Sequence, residues 1–253
     1  MNHKIYGRIM LAIFISASLI ACKEKGNEET TTTENSTSTQ TTAATTESDA
    51  VKAAPNNYKV LADTLGIRML EANINPGDSV VMHHHPDNAI YVAQGGTVTF
   101  YGKDGSKMEN TLPTGATMIR PDEWHAAKNT GNNSIKVIMF EINRTGAASS
   151  PDAKTDAIKV ASQVYTLKND SLGIRILEVN AKPGQAIAMH SHPDNALYVT
   201  DGGTAEFTGS DGKKQTVELK TGMSQIGPAE SHAVKNTGKT TVKAILVEVY
   251  RKM

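Results

Sequence analysis

Cysteine occurs once in the 253 residues, at Cys22. The chain can therefore form no intramolecular disulfide, and its remaining residues offer no thiol as nucleophile or metal ligand. Net charge is also missing: 26 Lys and Arg offset 26 Asp and Glu, and no basic patch breaks the balance. That argues against nucleic acid as a partner. The apolar run at 9–20 falls short of the ~20 residues needed to span a bilayer. Beyond it, no segment carries a convincing amphipathic helical period. What the chain does have is a duplication.

Met82-His-His-His-Pro-Asp-Asn-Ala-Ile-Tyr-Val92 returns as Met189-His-Ser-His-Pro-Asp-Asn-Ala-Leu-Tyr-Val199. His190 follows His83 by 107 positions, and His232 follows His125 by the same 107. The offset also pairs Asp49 with Asp156 and Arg144 with Arg251, without a gap, and about half of the paired positions are identical. The chain is read as two copies of one module, 49–144 and 156–253, each the size of a small domain. Between them, 145–155 is small and polar, as suits a short exposed linker.

Residues 1–21 read as an export signal, with Lys4 and Arg8 ahead of the apolar run. The run ends in Leu19-Ile-Ala-Cys22, which resembles a bacterial lipobox with Cys22 as the lipidated first residue of the mature protein. Residues 22–48 are rich in Thr, Ser, Asn and Glu and have almost nothing apolar to bury. They are expected to form a disordered tether with an r.m.s. reach of roughly 30 Å. The resulting expectation is an exported protein lipid-anchored in the bacterial cell envelope, with the lipid bilayer as a partner. Glu24, Glu28 and Glu29 behind Lys23 point to the outer membrane.

Within a module, β-prone runs alternate with Gly, Pro and Asp-Gly punctuation. In the first they are 67–74, 80–85, 90–93, 97–101, 116–119 and 135–143. In the second they are 174–180, 187–192, 197–200, 204–207 and 242–250. Residues i and i+2 of a strand share a face. His83 and His85 thus project together, as do His190 and His192, while His84, matched by Ser191, points away. A third histidine stands in Gly115-x5-Pro121-Asp-Glu-Trp-His125-x3-Asn129 and again in Gly222-x5-Pro228-Ala-Glu-Ser-His232-x3-Asn236.

Gly77-x5-His83-x-His85, followed by this second motif, resembles the signature of the cupin superfamily, twice over. The resemblance covers nearly all of 49–251 and implies an all-β chain of two tandem jelly-roll barrels, a bicupin. It also implies that the paired histidines, a Glu a few residues on and the later histidine bind a divalent metal inside each barrel. The usual Glu falls at Ala89 and Ala196. The second motif is one residue shorter than usual between Pro and His, and has Glu123 or Glu230 where Gly is common. Three imidazoles per module remain: His83, His85, His125 and His190, His192, His232. Such a set suits Fe, Zn or Mn, and without a carboxylate it leaves the ion's charge to attract an anionic ligand.

Other repeated residues have plainer readings. Asp87 and Asp194 share the histidines' parity, which makes them candidates for a fourth ligand or a proton acceptor, but they follow Pro, as turn formers do, and that reading is preferred. Tyr91 and Tyr198 share that parity and are candidates for the pocket. Arg68, Arg175, Glu71 and Glu178 read as exposed ion pairs, Met82 and Met189 as core, and Trp124 as the rim of the first pocket.

Two functions of different class follow. One is a binding protein that holds a divalent metal, or a small anionic or sugar-like ligand, at the membrane. The other is a metal-dependent enzyme, a dioxygenase or isomerase, using the same histidines. Since single cupins often pair barrel to barrel, two fused modules are expected to form a monomer or a homodimer.

Overall fold

Each module begins with one turn of helix, α1 (Ala50–Ala53) and α2 (Ala157–Val160), started by an aspartate whose carboxylate accepts N–H groups of that turn. Four residues are too few to show a helical period, which is why the sequence pattern does not contain them. The computed structural model describes residues 49–253. The expected signal segment 1–21, Cys22 and the tether 22–48 lie outside the described residues.

The first module continues through β1 (Tyr58–Thr64), β2 (Ile67–Ile74), β3 (Ser79–His85), β4 (Asn88–Gln94), β5 (Gly96–Tyr101), β6 (Lys107–Leu112), β7 (Thr117–Arg120), β8 (Glu123–Asn129) and β9 (Ile135–Ile142). The second repeats it as β10 (Tyr165–Ser171), β11 (Ile174–Ala181), β12 (Ala186–His192), β13 (Asn195–Asp201), β14 (Gly203–Gly209), β15 (Lys214–Leu219), β16 (Ser224–Gly227), β17 (Glu230–Asn236) and β18 (Val242–Val249). The runs expected from sequence correspond to β2, β3, β4, β5, β7 and β9. The strands β1, β6 and β8 were not among them. The first two are largely exposed, so their sequences lack the alternation that marks a half-buried strand.

In each module a five-stranded and a four-stranded antiparallel sheet face one another. The orders are β1-β2-β9-β4-β7 with β3-β8-β5-β6, and β10-β11-β18-β13-β16 with β12-β17-β14-β15. This is the tandem jelly-roll architecture expected from the motifs. Leu70, Ala72, Val80, Val98 and Met139 fill the first barrel, and Leu177, Ile187, Val199, Ala205 and Leu246 the second.

The two five-stranded sheets are covered on both faces. Their outer faces pack on each other through Ile67, Met69, Ala89, Ile138 and Phe140 from one barrel and Ile174, Ile176, Ala196, Ile245 and Val247 from the other. Sheets buried on both sides read as near-continuous apolar runs, and β9, Ile-Lys-Val-Ile-Met-Phe-Glu-Ile, is one. Reciprocal ion pairs lock the contact. Arg144 Nη2 meets Asp194 Oδ2 at 2.7 Å, and Arg251 Nη2 meets Asp87 Oδ2 at 2.5 Å. Each arginine also donates Nε to the turn before the second strand of its own barrel, at the Leu65 and Leu172 carbonyls. The 145–155 connection is mostly exposed, as its composition suggests, yet Ser149 N–H is tied to the Tyr250 carbonyl.

Candidate metal centres

A bulge aims the first two histidines of each module. Along β3 and β8, Val80 stands opposite Ala127 and His83 opposite His125, so β3 carries one residue more than its partner between these pairs. The same slip separates Ile187 from His190 against β17. It lets Val80 and His83, three positions apart, face the same interior. His83, His85 and His190 are fully buried, and His192 is nearly so. His125 and His232 lie directly across the strand pair from His83 and His190. In each module one nitrogen from each of the three histidines falls within a cluster 4.8 Å across.

Hydrogen bonds decide which nitrogens converge. His83 Nδ1 donates to the Val81 carbonyl at 2.7 Å, and His190 Nδ1 to the Ala188 carbonyl at 2.8 Å. A carbonyl only accepts, so these Nδ1 atoms carry the proton and Nε2 holds the free lone pair. His85 Nδ1 meets Glu141 Oε1 and His192 Nδ1 meets Glu248 Oε1, each at 2.7 Å. His232 Nδ1 lies 2.9 Å from Glu230 Oε1, and His125 Nδ1 lies 3.7 Å from Glu123 Oε1. Backbone or carboxylate thus holds the outer nitrogen of five of the six rings by a hydrogen bond, the usual support for a metal-ligating histidine, while His125 has only the longer approach of Glu123.

The carboxylates are anchored in turn. Glu141, fully buried, receives Arg68 Nε at 2.6 Å on its second oxygen, and Arg68 Nη1 also reaches Asp49 at 2.7 Å. In the second barrel Tyr250 stands where the first has Asn143. Its hydroxyl donates to Glu248 Oε2 at 3.0 Å and accepts from Arg175 Nη1 at 2.8 Å. Arg68 and Arg175 are therefore not exposed pairs but inward-facing counter-charges, Arg175 being only 2% exposed. In the sequence Glu141 and Glu248 stand out only as an acid repeated in the last strand of each module; their role depends on strand register, which puts them across from Arg68 and Arg175.

Burial keeps the first histidines neutral. It pushes His83 down to about 3 and His190 down to about 4, and the neighbouring imidazoles add to the effect. His85 is lowered by the same burial, against the pull of Glu141. Burial alone would raise Glu123, but His125 and Arg120 outweigh it and hold the acid at about 2. Neutral imidazoles beside ionised carboxylates form the protonation pattern a cation requires.

The donor set fits a divalent metal. In the first barrel His83 Nε2 and His85 Nε2 stand 2.9 Å apart. With both Nδ1 atoms protonated, neither Nε2 has a proton to offer the other, and a cation held by both would relieve their repulsion. His83, His85 and His125, or His190, His192 and His232, would be the protein ligands.

Other expected site residues lie elsewhere. His84 faces outward and pairs with Asp122 at 2.7 Å. Trp124 sits beside it on that outer face, at 5.1 Å between rings, with Lys103 Nζ 3.1 Å over the centroid of the Trp124 ring, and does not rim the pocket. Tyr91 and Tyr198 meet each other between the barrels, their rings 6.2 Å apart, because Pro86 and Pro193 break the strands and reset the parity. Asp87 and Asp194 are the cross-barrel partners of Arg251 and Arg144 and also accept the N–H groups of Asp122 and Ala229. Met82 is half-buried and Met189 is exposed, so neither is core. Glu71 and Glu178 do form surface pairs, with Lys136 and Lys168. Ala89 and Ala196, the expected places of a family glutamate, face the inter-barrel core.

Residues 177–248 match the family model described as Cupin domain. No curated protein matches the sequence. Among solved structures, AerE from Microcystis aeruginosa is 15% identical, with a TM-score of 0.56, and the match covers 76% of this chain and 91% of that one. The oxalate decarboxylase of Bacillus subtilis, studied for its Mn(II) centres, is 14% identical with a TM-score of 0.54, over 81% of this chain and 72% of that one. At these identities the likeness is one of fold.

Proposed function

We propose, from the match of 177–248 to the Cupin domain model and the likeness of fold, that this chain is a member of the cupin superfamily and a lipid-anchored envelope protein binding one divalent metal ion in each barrel. The observation that carries the metal reading is the outward tie on five of the six rings: backbone or carboxylate groups accept from the outer nitrogens, which leaves the inner ones for an ion. A bound ion would supply Lewis acidity and open coordination positions. The chain's own part is to present neutral imidazoles in a buried pocket and to fix their rings through Glu141 and Glu248. With no carboxylate among the histidine ligands, the site favours a small anionic partner at the open positions.

Metal analysis of the purified full chain after metal-rich growth is expected to give about two divalent ions per chain. The variant His83→Ala with His190→Ala should lose them. Fewer than about 0.2 ions per wild-type chain ends the metal reading. The anchoring part of the proposal is supported by the Leu19–Cys22 pattern. Cys22→Ser should move the protein from the membrane fraction to the soluble one, and retention on the membrane defeats it. The two facing sheets occupy the barrel-pairing surface within one chain, which supports a monomer.

An enzymatic reading, an oxygenase or isomerase on the same histidines, has the fold likeness to a decarboxylase with Mn(II) centres in its favour. Oxygen uptake or turnover by the metal-loaded protein would select it over binding alone.

A further inference from the structure

Two buried phenols point at the histidine clusters. Tyr58, the first residue of β1, places its hydroxyl 3.0 Å from His83 Nε2. Tyr165, the first residue of β10, does the same at 2.9 Å from His190 Nε2. They are 6% and 5% exposed. Their rings pack against both histidines of the pair, at 5.3 and 5.7 Å in one barrel and 5.3 and 5.5 Å in the other. The arrangement is repeated where half of the paired positions have diverged.

The contact is with the nitrogen that a metal would need. His83 Nε2 has one lone pair, since Nδ1 carries the proton. That lone pair can accept from Tyr58 or bind an ion, not both. Once an ion takes it, the buried phenol must find a new partner. The spacing fits the ion itself. Donors at about 2.0–2.1 Å from one ion and at right angles to each other stand about 2.9 Å apart. The separations of His85 Nε2 and of the Tyr58 hydroxyl from His83 Nε2 are 2.9 and 3.0 Å.

Resting on the metal reading above, we propose that Tyr58 and Tyr165 are the fourth protein ligands, each supplying an oxygen beside three imidazoles. On coordination the phenol O–H bond breaks, its proton leaves to solvent, and an oxygen–metal bond forms, with no change of oxidation state. The oxygen donor missing from the expected position after the paired histidines is thus provided by the first strand. A site of three nitrogens and one phenolate also carries one negative charge, which leaves a divalent ion a single residual positive charge and favours a monoanion at the remaining position.

Copper(II) is the probe, since nitrogen and oxygen sites hold it more tightly than other divalent first-row ions. The full chain with Cu(II) in both barrels is expected to show a visible phenolate-to-metal charge-transfer band. Resonance Raman excitation in that band should enhance tyrosine ring modes. Tyr58→Phe and Tyr165→Phe should each halve the band, and the double variant should abolish it while keeping copper on the histidines. Tyr91→Phe with Tyr198→Phe should leave it unchanged. Bound copper without a tyrosinate band, or a band that survives the double substitution, overturns the proposal and leaves the three-histidine reading standing. Failure of wild-type protein to take up copper ends both.

Discussion

Glu141→Ala is expected to destabilise the metal-free protein by about 3–5 kcal/mol, the cost of breaking a buried ion pair by removing one partner. The carboxylate is fully buried and satisfies two groups at once, His85 Nδ1 at 2.7 Å and Arg68 Nε at 2.6 Å. Its loss leaves Arg68 with Asp49 as the remaining counter-charge, at the start of α1, and leaves the buried His85 N–H without an acceptor. A second effect should accompany the first. Without its outer partner the His85 ring loses orientation and basicity, and metal affinity should fall by about 10–100-fold. Glu141→Gln separates the two. It keeps a carbonyl for His85 but removes the charge facing Arg68, so stability should still fall while most of the affinity is retained. Urea unfolding of the metal-free protein and calorimetric metal titration read the two effects independently. A Glu141→Ala variant within about 1 kcal/mol of wild type would show that the pair does not hold the barrel together.

The sequence made the architecture legible because duplication and punctuation are local properties. A constant offset of 107 needs no knowledge of contacts, and neither do Pro-Gly or Gly-Gly turns. The histidines were legible for the same reason, as two motifs of fixed spacing. Their surroundings were not. Tyr58 lies 25 positions from His83, and Glu141 lies 56 from His85. Only the order β1-β2-β9-β4 and the register of Arg68 against Glu141 bring these groups together. Parity reasoning worked within a strand and failed across Pro86, where the chain leaves β3 and enters β4 in the other sheet. That one break sends Tyr91 to the interface instead of the pocket. The same limit governs Arg68: a charged residue on a strand reads as exposed until a buried acid is known to face it.

Ala89→Glu, which would place the family's acid at its expected position, should cost more than about 5 kcal/mol and add nothing to metal binding. Ala89 is fully buried and belongs to the apolar layer between the barrels, not to a barrel interior. Its strand neighbours are Ile119 and Phe140. A carboxylate buried among such groups has its pKa raised by about 3–5 units, and each unit is about 1.36 kcal/mol. Forcing the longer side chain into a packed layer adds about 1–3 kcal/mol. The sum rivals the ~5–15 kcal/mol that holds a typical domain folded. The sign with pH is fixed as well. A raised folded-state pKa means that the folded form binds more protons than the unfolded one, so the penalty grows as pH rises above the unfolded value of about 4.3 and shrinks on acidification. Ile90→Glu is the contrast, because Ile90 packs toward the first barrel's interior and is not fully buried. Its thermal midpoint should fall less than that of Ala89→Glu. Equal losses, or a gain in metal affinity from Ala89→Glu alone, would place residue 89 inside the barrel after all. If the contrast holds, the alanine at 89 and its copy at 196 are not vacated ligand positions. They are small because two sheets must close on each other there, and that contact, not metal chemistry, sets what residue they can be.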